Sequence, residues 1–453
     1  MNEYQWSPQP AAAELIQQQF LAIVQSSPAI ASLARRMRDE TGTRLPDWID
    51  HLALPATEEL AARLADCGFV CQALGERTLY SQPRGLFPTV ILDGSRQRRL
   101  ALKVESVAEF AAAWPGGAAL SIDGAPHAAR RRARVCVEGD TELWVLERHG
   151  YAGFDLPELS AAQVEALKRH EQAFQERWRE FADPAEGFVH ATTLIERAAA
   201  DLGSDRTCDL FFAAERAYWQ ARNQAARVQY ARQQALGLGW GNHDHHTYRS
   251  SREHFVRLIG VLELLGFQCR ERFFAGREAG WGAQVLEQPE AGIVIFADVD
   301  LDAEEVAGDF AHHPLPPRNK LGTVGLWCRL HGEAFLQAGM HHLECRFDYE
   351  QARAQLKAAG IESMPPFTDF PYLKQAFTRG EMWPVDPARL AAAEAEGAIT
   401  AAETEKFRTQ GALGSHLEIL QRDEGYKGFN QTGVSDIIRR TDPRKQGGTV
   451  AGA

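Results

Sequence analysis

The sequence has no long hydrophobic run, little cysteine and no excess of positive charge, and each absence removes a class of protein. No apolar stretch approaches the roughly 18 to 20 residues that cross a bilayer, so no membrane-spanning helix is expected. Met1 to Pro8 contain no basic stretch leading into an apolar one; no secretory signal is read there, and cytoplasmic residence is the expectation. The seven cysteines are odd in number and scattered, and the one close pair, Cys67 and Cys71, straddles an expected helix end at Gly68. That pattern fits reduced, packed thiols and excludes a disulfide framework or a cysteine-based zinc site. A formal charge of −12 argues against a nucleic-acid surface, which needs clustered Lys and Arg to neutralise phosphates. The basic runs Arg130-Arg131-Arg132 and Arg439-Arg440 are short and read as solvated surface. Oligomeric state is not encoded in any pattern of this kind.

What remains is a globular composition, 45% hydrophobic and 24% charged, in a chain of 453 residues. That length calls for two or three domains, or for one domain of repeated modules. Residues 1–45 carry helical spacing in two runs broken at Ser26-Ser27-Pro28. From 46 to 150 a strand at Leu45 to Leu54 leads through an amphipathic helix, Ala56 to Cys67, to strands at Val70 to Leu74, Phe87 to Leu92 and Arg99 to Glu105. An extra hairpin follows at Ala133 to Val137 and Glu142 to Leu146. Residues 151–238 form a helical insertion rich in Ala, Gln, Arg and Glu, with Ser160 as an N-cap. The strand-helix-strands order recurs after His245-His246 and after Met340-His341-His342, within 239–440. Pro384 to Thr409 is a helical insertion, and 441–453 read as a flexible tail. The fold class is therefore α+β: three copies of one unit, the first degenerate, with helical insertions.

Paired units of this kind curl into a half-barrel whose concave floor gathers residues distant in sequence. His245 opens the first strand of one copy, His342 opens that of the next, and Glu418 lies on the closing strand. Two His and one carboxylate leave coordination positions open, as in non-haem Fe(II) oxygenases, though the same set serves catalytic zinc. Arg249 follows His245 by four residues and Arg346 follows His342 by four, which on a strand places each guanidinium on its histidine's face. A guanidinium there can clamp a substrate carboxylate through paired hydrogen bonds. His243 competes with His245 as the first ligand, because a shift of two keeps the facing; His341 is disfavoured against His342, because a shift of one reverses it. His51 and Glu105 in the first copy could form a second site, but no third ligand stands beside them. The loop after the ligand strand, Asp423 to Ser435, is dense in glycine and polar residues and offers Asn430, Gln431 and Ser435 to a substrate.

His245-His246-Thr247-Tyr248-Arg249, Leu265-Gly266-Phe267, Met340-His341-His342-Leu343-Glu344-Cys345-Arg346 and Leu417-Glu418-Ile419-Leu420-Gln421-Arg422 resemble the signature segments of the 2-oxoadipate dioxygenase/decarboxylase family. That family belongs to the vicinal oxygen chelate superfamily. The resemblance covers roughly residues 240–440. It implies Fe(II) as cofactor and His245, His342 and Glu418 as its ligands; Zn, Mn or Ni compete for the same nitrogen and oxygen donors. It also implies a small 2-oxo acid and O2 as partners, with Arg249 holding the substrate carboxylate. The first segment departs from the family pattern, in which His-Gly and small apolar residues precede the Arg. A redox-neutral isomerase, lyase or hydrolase on the same scaffold, and a protein that only binds a small anion, are the alternatives.

Overall fold

The computed structural model describes residues 5–155, 158–318, 320–368, 370–430 and 442–445. Two helices, Pro10–Ser26 and Pro28–Arg36, lead in; Ser27 separates them, and its hydroxyl accepts from the Ile30 N–H at 3.2 Å to cap the second.

The first sheet follows: β1 (Ile49–Pro55), β2 (Val70–Leu74), β3 (Arg77–Ser81), β4 (Thr89–Asp93), β5 (Arg98–Lys103), β6 (Ile122–Asp123), β7 (Arg130–Glu138) and β8 (Thr141–Arg148). Their spatial order is β2-β3-β4-β1-β5-β8-β7-β6. β1 runs parallel to β4, β5 runs parallel to β8, and β1 and β5 meet antiparallel at the centre. This is two strand-helix-strands units side by side, where the sequence reading had one unit and a separate hairpin. Arg98–Lys103 opens the second unit and does not close the first. The helix that marks the second unit, Val107–Ala113, has only seven residues before Trp114-Pro115, too few to show a clear period.

Helices Ala161–Gln175, Pro184–Leu202, Ser204–Ala221 and Gln224–Gln234 then cross to the second half. Ser160 caps the first of them in a capping box with Gln163. The second sheet is built from β9 (His243–Arg249), β10 (Gln268–Phe274), β11 (Trp281–Gln288), β12 (Ile293–Asp300), β13 (His342–Arg346), β14 (Leu373–Phe377), β15 (Glu381–Trp383) and β16 (Ala412–Arg422). Its order, β10-β11-β12-β9-β13-β16-β14 with β15 on β16, repeats the pattern of the first sheet. The result is a mixed α+β chain of two curled sheets, the second forming the half-barrel.

Each sheet buries its convex face against helices. Behind the second sheet, Phe255, Leu258 and Leu262 of helix Phe255–Leu264 join Phe211, Phe212 and Tyr248 in one apolar cluster. Burial of this kind contributes about 25 cal/mol per Å2 and fixes which strand residues are left to face the concave side. Asp442 to Lys445, expected in a flexible tail, pack back on the body: the Arg444 guanidinium donates to the Leu321 carbonyl at 3.2 Å. No described helix is long and apolar enough to cross a membrane.

Candidate metal centre

The two strands His342-Leu343-Glu344 and His416-Leu417-Glu418 lie parallel and in register, His342 beside His416 and Glu344 beside Glu418. On the other side β13 runs antiparallel to β9, which sets Thr247 beside His342 and His245 beside Glu344. Because side chains alternate, two rows cross the concave floor: Thr247, His342 and His416 in one, His245, Glu344 and Glu418 in the other. All six line one cavity of about 60 Å3, closed by Phe273, Phe296, Phe367, Phe377 and Phe429.

Ligand atoms of His245, His342 and Glu418 all lie within 4.8 Å of one another. His342 Nε2 is 3.1 Å from Glu418 Oε2, and Gln375 Nε2 donates to the other carboxylate oxygen at 3.1 Å. His245 Nδ1 sits 3.3 Å from Asp244 Oδ1, and Arg422 holds Asp244 at 3.0 Å. A carboxylate on the far nitrogen fixes ring orientation and turns Nε2 toward the floor, where it lies 2.7 Å from Glu344 Oε2. Several buried atoms here have no hydrogen-bond partner: His342 Nδ1, both ring nitrogens of His416, and Glu344 Oε1, while Glu344 Oε2 meets His245 Nε2 at 2.7 Å. Unsatisfied donors and acceptors in an apolar cavity are costly, and a cation offsets that cost for Glu344 and for a neutral imidazole nitrogen. The donor set, nitrogen and oxygen without sulfur, fits a first-row divalent ion.

The electrostatics of the empty cavity differ among the three residues. Burial, reinforced by His416, His245 and Arg249, keeps His342 neutral well below its ordinary range, the form that ligates. Burial pushes the Glu418 carboxyl well up, and the neighbouring Glu344 adds to the rise. Burial also opposes charge on His245, but the carboxylates of Glu344, 2.7 Å from Nε2, and of Asp244 outweigh it and raise its pKa.

Arg249 lies on the same floor, buried, with Nε and one terminal nitrogen unpartnered. Its nearest carboxylate, Asp298, is 3.8 Å away. Burial lifts Asp298 to about 7 against the pull of Arg249 and His245. The unfolded chain loses this proton near pH 4 while the native state keeps it to about 7, so stability from this group falls as pH rises across that window. Asp298→Asn removes that slope, and its Tm relative to wild type should climb between pH 5 and pH 8; an unchanged difference would show that Asp298 is ionised throughout.

The structure separates the candidates that spacing left open. His243 is not on the floor. It pairs with Cys345 while His245 pairs with Glu344, so Asp244 is an extra residue, a bulge that breaks the period-two facing. His243 instead meets the His246 ring, 5.4 Å between centroids. His341 does reach the cavity, contrary to the facing argument, because it precedes β13; its Nδ1 lies 3.1 Å from the Gly414 carbonyl. With His342 and His416 it forms a second group within 4.8 Å. Arg346 does not reach the cavity: beyond the bulge it lies 3.8 Å from Asp244 and lines the seam between the two sheets. Asn430 lines the cavity and donates to the Phe367 carbonyl at 2.9 Å. Gln431 and Ser435 fall outside the described residues.

His51 and Glu105 are not brought together among the described residues. His51 faces the first sheet's floor, 2.7 Å from Asp50. Glu105 accepts from the Tyr230 hydroxyl and the Trp240 N–H at 3.1 and 3.2 Å, closing the seam. Gly239 packs so tightly there, at φ +58°, that a Cβ would come within 2.2 Å of Glu105 Oε2.

No protein-family model matches the chain, and no curated protein does. Among solved structures the likeness is slight. A mutant 4-hydroxymandelate synthase from Streptomyces coelicolor is 14% identical over 88% of this chain and 97% of its own, with a TM-score of 0.27. Methylmalonyl-CoA epimerase from Mycobacterium tuberculosis is 12% identical over 40% of this chain and 88% of its own, at 0.24. A xylose isomerase-like TIM barrel/4-hydroxyphenylpyruvate dioxygenase fusion protein is 12% identical over 96% of this chain and 58% of its own, at 0.25. At these scores the likeness carries no argument about chemistry, which rests on the cavity itself.

Glu344, His416, Asp298 and Gln375 were not singled out from sequence. For two of them a signal existed: His-Leu-Glu occurs at 342–344 and again at 416–418, and period two puts both ends of each on one face.

Proposed function

We propose that the chain is an Fe(II)-dependent dioxygenase/decarboxylase acting on a small 2-oxo acid, 2-oxoadipate-like, that yields a hydroxy acid and CO2. The observation that carries this reading is the convergence of His245, His342 and Glu418 on one floor, with Arg249 beside them holding two guanidinium nitrogens without a hydrogen-bond partner. Iron held there would supply the oxidising chemistry with O2 and a site for the substrate's carboxylate and keto oxygens. The residues do the rest. Arg249 takes a substrate carboxylate, Asp244 and Arg422 hold the His245 ring, and Gln375 holds Glu418. The ring of phenylalanines from Phe273 to Phe429 keeps bulk water out. The cavity is small, about 60 Å3, so an organic acid must displace part of its lining on entry.

Oxygen uptake by iron-loaded protein on adding a panel of 2-oxo acids tests the reading; no uptake with metal bound would reject it. Arg249→Ala should raise the substrate concentration needed for half-maximal uptake by at least about tenfold, since charged hydrogen bonds contribute roughly 1.5 to 3 kcal/mol, and leave metal content intact. Loss of metal in that variant would make Arg249 part of the metal scaffold. One observation favours a second reading. Glu344, 2.7 Å from His245 Nε2, could add a second carboxylate to the ion and fill a position that O2 needs. A redox-neutral isomerase, lyase or hydrolase would then turn over without O2.

A further inference from the structure

The concave face of the first sheet encloses a cavity of about 600 Å3, at the place that corresponds to the metal floor of the second. It holds no comparable group of ligands among the described residues. What it holds is Arg130. The Arg130-Arg131-Arg132 run was expected to be solvated surface, but Arg130 is 6% exposed, lines this cavity, and leaves its Nε without a partner. Its cross-strand neighbour is another cation, Arg148, whose charge is taken by Asp50 through hydrogen bonds of 2.6 and 2.9 Å. Arg132 is paired with Asp123 at 2.8 Å, and Arg99 with Asp93 and Glu142 at 3.0 and 3.2 Å. Arg130 has no carboxylate of its own among the described residues.

A guanidinium stays ionised at any ordinary pH, so burying it unmatched destabilises the empty fold. A bound anion offsets that. One part of the wall is apolar or aromatic, Ala53, Ala101, Leu146, Trp144 and Phe154, with the Arg130 guanidinium 5.7 Å from the Phe154 ring centre; the rest is polar, including His51, Arg77 and Ser95. One unmatched positive charge suits one carboxylate. A dianion such as phosphate would need a second cation, and the others on the lining are paired, as Arg99 and Arg132 are, or exposed, as Arg77 is.

We propose that this cavity binds a small organic monocarboxylate, its carboxylate on Arg130 and its apolar or aromatic body against Phe154, Trp144 and Leu146. The site is separate from the metal floor and independent of the reaction assigned to it.

The test is the Tm of the full chain with benzoate, with its neutral counterpart benzamide, and with inorganic phosphate, for wild type, Arg130→Met, Arg249→Met and Ala53→Leu. Benzoate should raise the wild-type Tm, benzamide should not, and phosphate should do so less than benzoate. Arg130→Met should start at a higher Tm than wild type, having lost an unmatched buried charge, and should lose the benzoate response. Arg249→Met should keep the response. Ala53→Leu, which retains the guanidinium but fills the cavity floor, should lose it, and decides the matter if Arg130→Met does not fold. A response kept in both Arg130→Met and Ala53→Leu, lost in Arg249→Met, equalled by phosphate, or absent from wild type overturns the proposal.

Discussion

Glu418→Ala and His342→Ala are each expected to lower the metal content of anaerobically purified protein from about one ion per chain to near none, with the fold intact. Losing a group that merely orients a ligand costs roughly 10- to 100-fold in metal affinity, so losing a ligand itself must cost more. Gln375→Ala, which deletes the hydrogen bond to Glu418, should fall in the smaller range. The metal-free protein should tolerate Glu418→Ala well, because burial beside Glu344 already disfavours the Glu418 charge. Elemental analysis and a melting curve of each variant check both parts. Full metal content in the Glu418 and His342 variants would remove the triad, and the reaction proposed for it with it.

The largest stability effect is expected away from the floor, at Glu215. This carboxylate is fully buried in helix Ser204–Ala221 and accepts from Arg177 and Arg179 at 2.5 and 2.6 Å and from the Tyr248 hydroxyl at 3.2 Å. Burial opposes its charge, and the two guanidiniums outweigh that and hold its pKa low. Tyr248 lies on β9 between Thr247 and Arg249, so the network ties the helical insertion to the strand that presents the site. Glu215→Leu leaves two cations in the core without a counter-charge and should cost about 3 to 5 kcal/mol, read as a lower urea midpoint at unchanged slope. Adding Arg177→Met should recover part of the loss, since one orphaned charge is gone. A double variant no better than the single would show that packing, not charge, sets the cost.

Three of the four segments that carry the family resemblance contain the three proposed ligands, because a metal site needs particular side chains and those are written in the sequence. The helical insertion and its start at Ser160 were legible for a local reason: capping and helical period are set within a few residues. The second unit of the first sheet was not, since its helix is seven residues long and its identity rests on β5 pairing with β8 across about forty residues. His243 and Arg346 show the same limit at the site. Period two places both on the ligand face; the bulge at Asp244 turns His243 away, while Arg346, on the unbroken β13, lies past the end of the cavity beside Asp244.

Residue types and short-range spacing thus determined the chemistry on offer here: imidazoles, carboxylates and guanidiniums on strands with an alternating face. Only the tertiary structure decided which of them meet. The bulge at Asp244, the parallel register of the two His-Leu-Glu strands, and the burial of Arg130 without a carboxylate all depend on strand pairing between distant segments. Pairing register is fixed by the packing of whole sheet faces, and no local stretch of sequence contains that information.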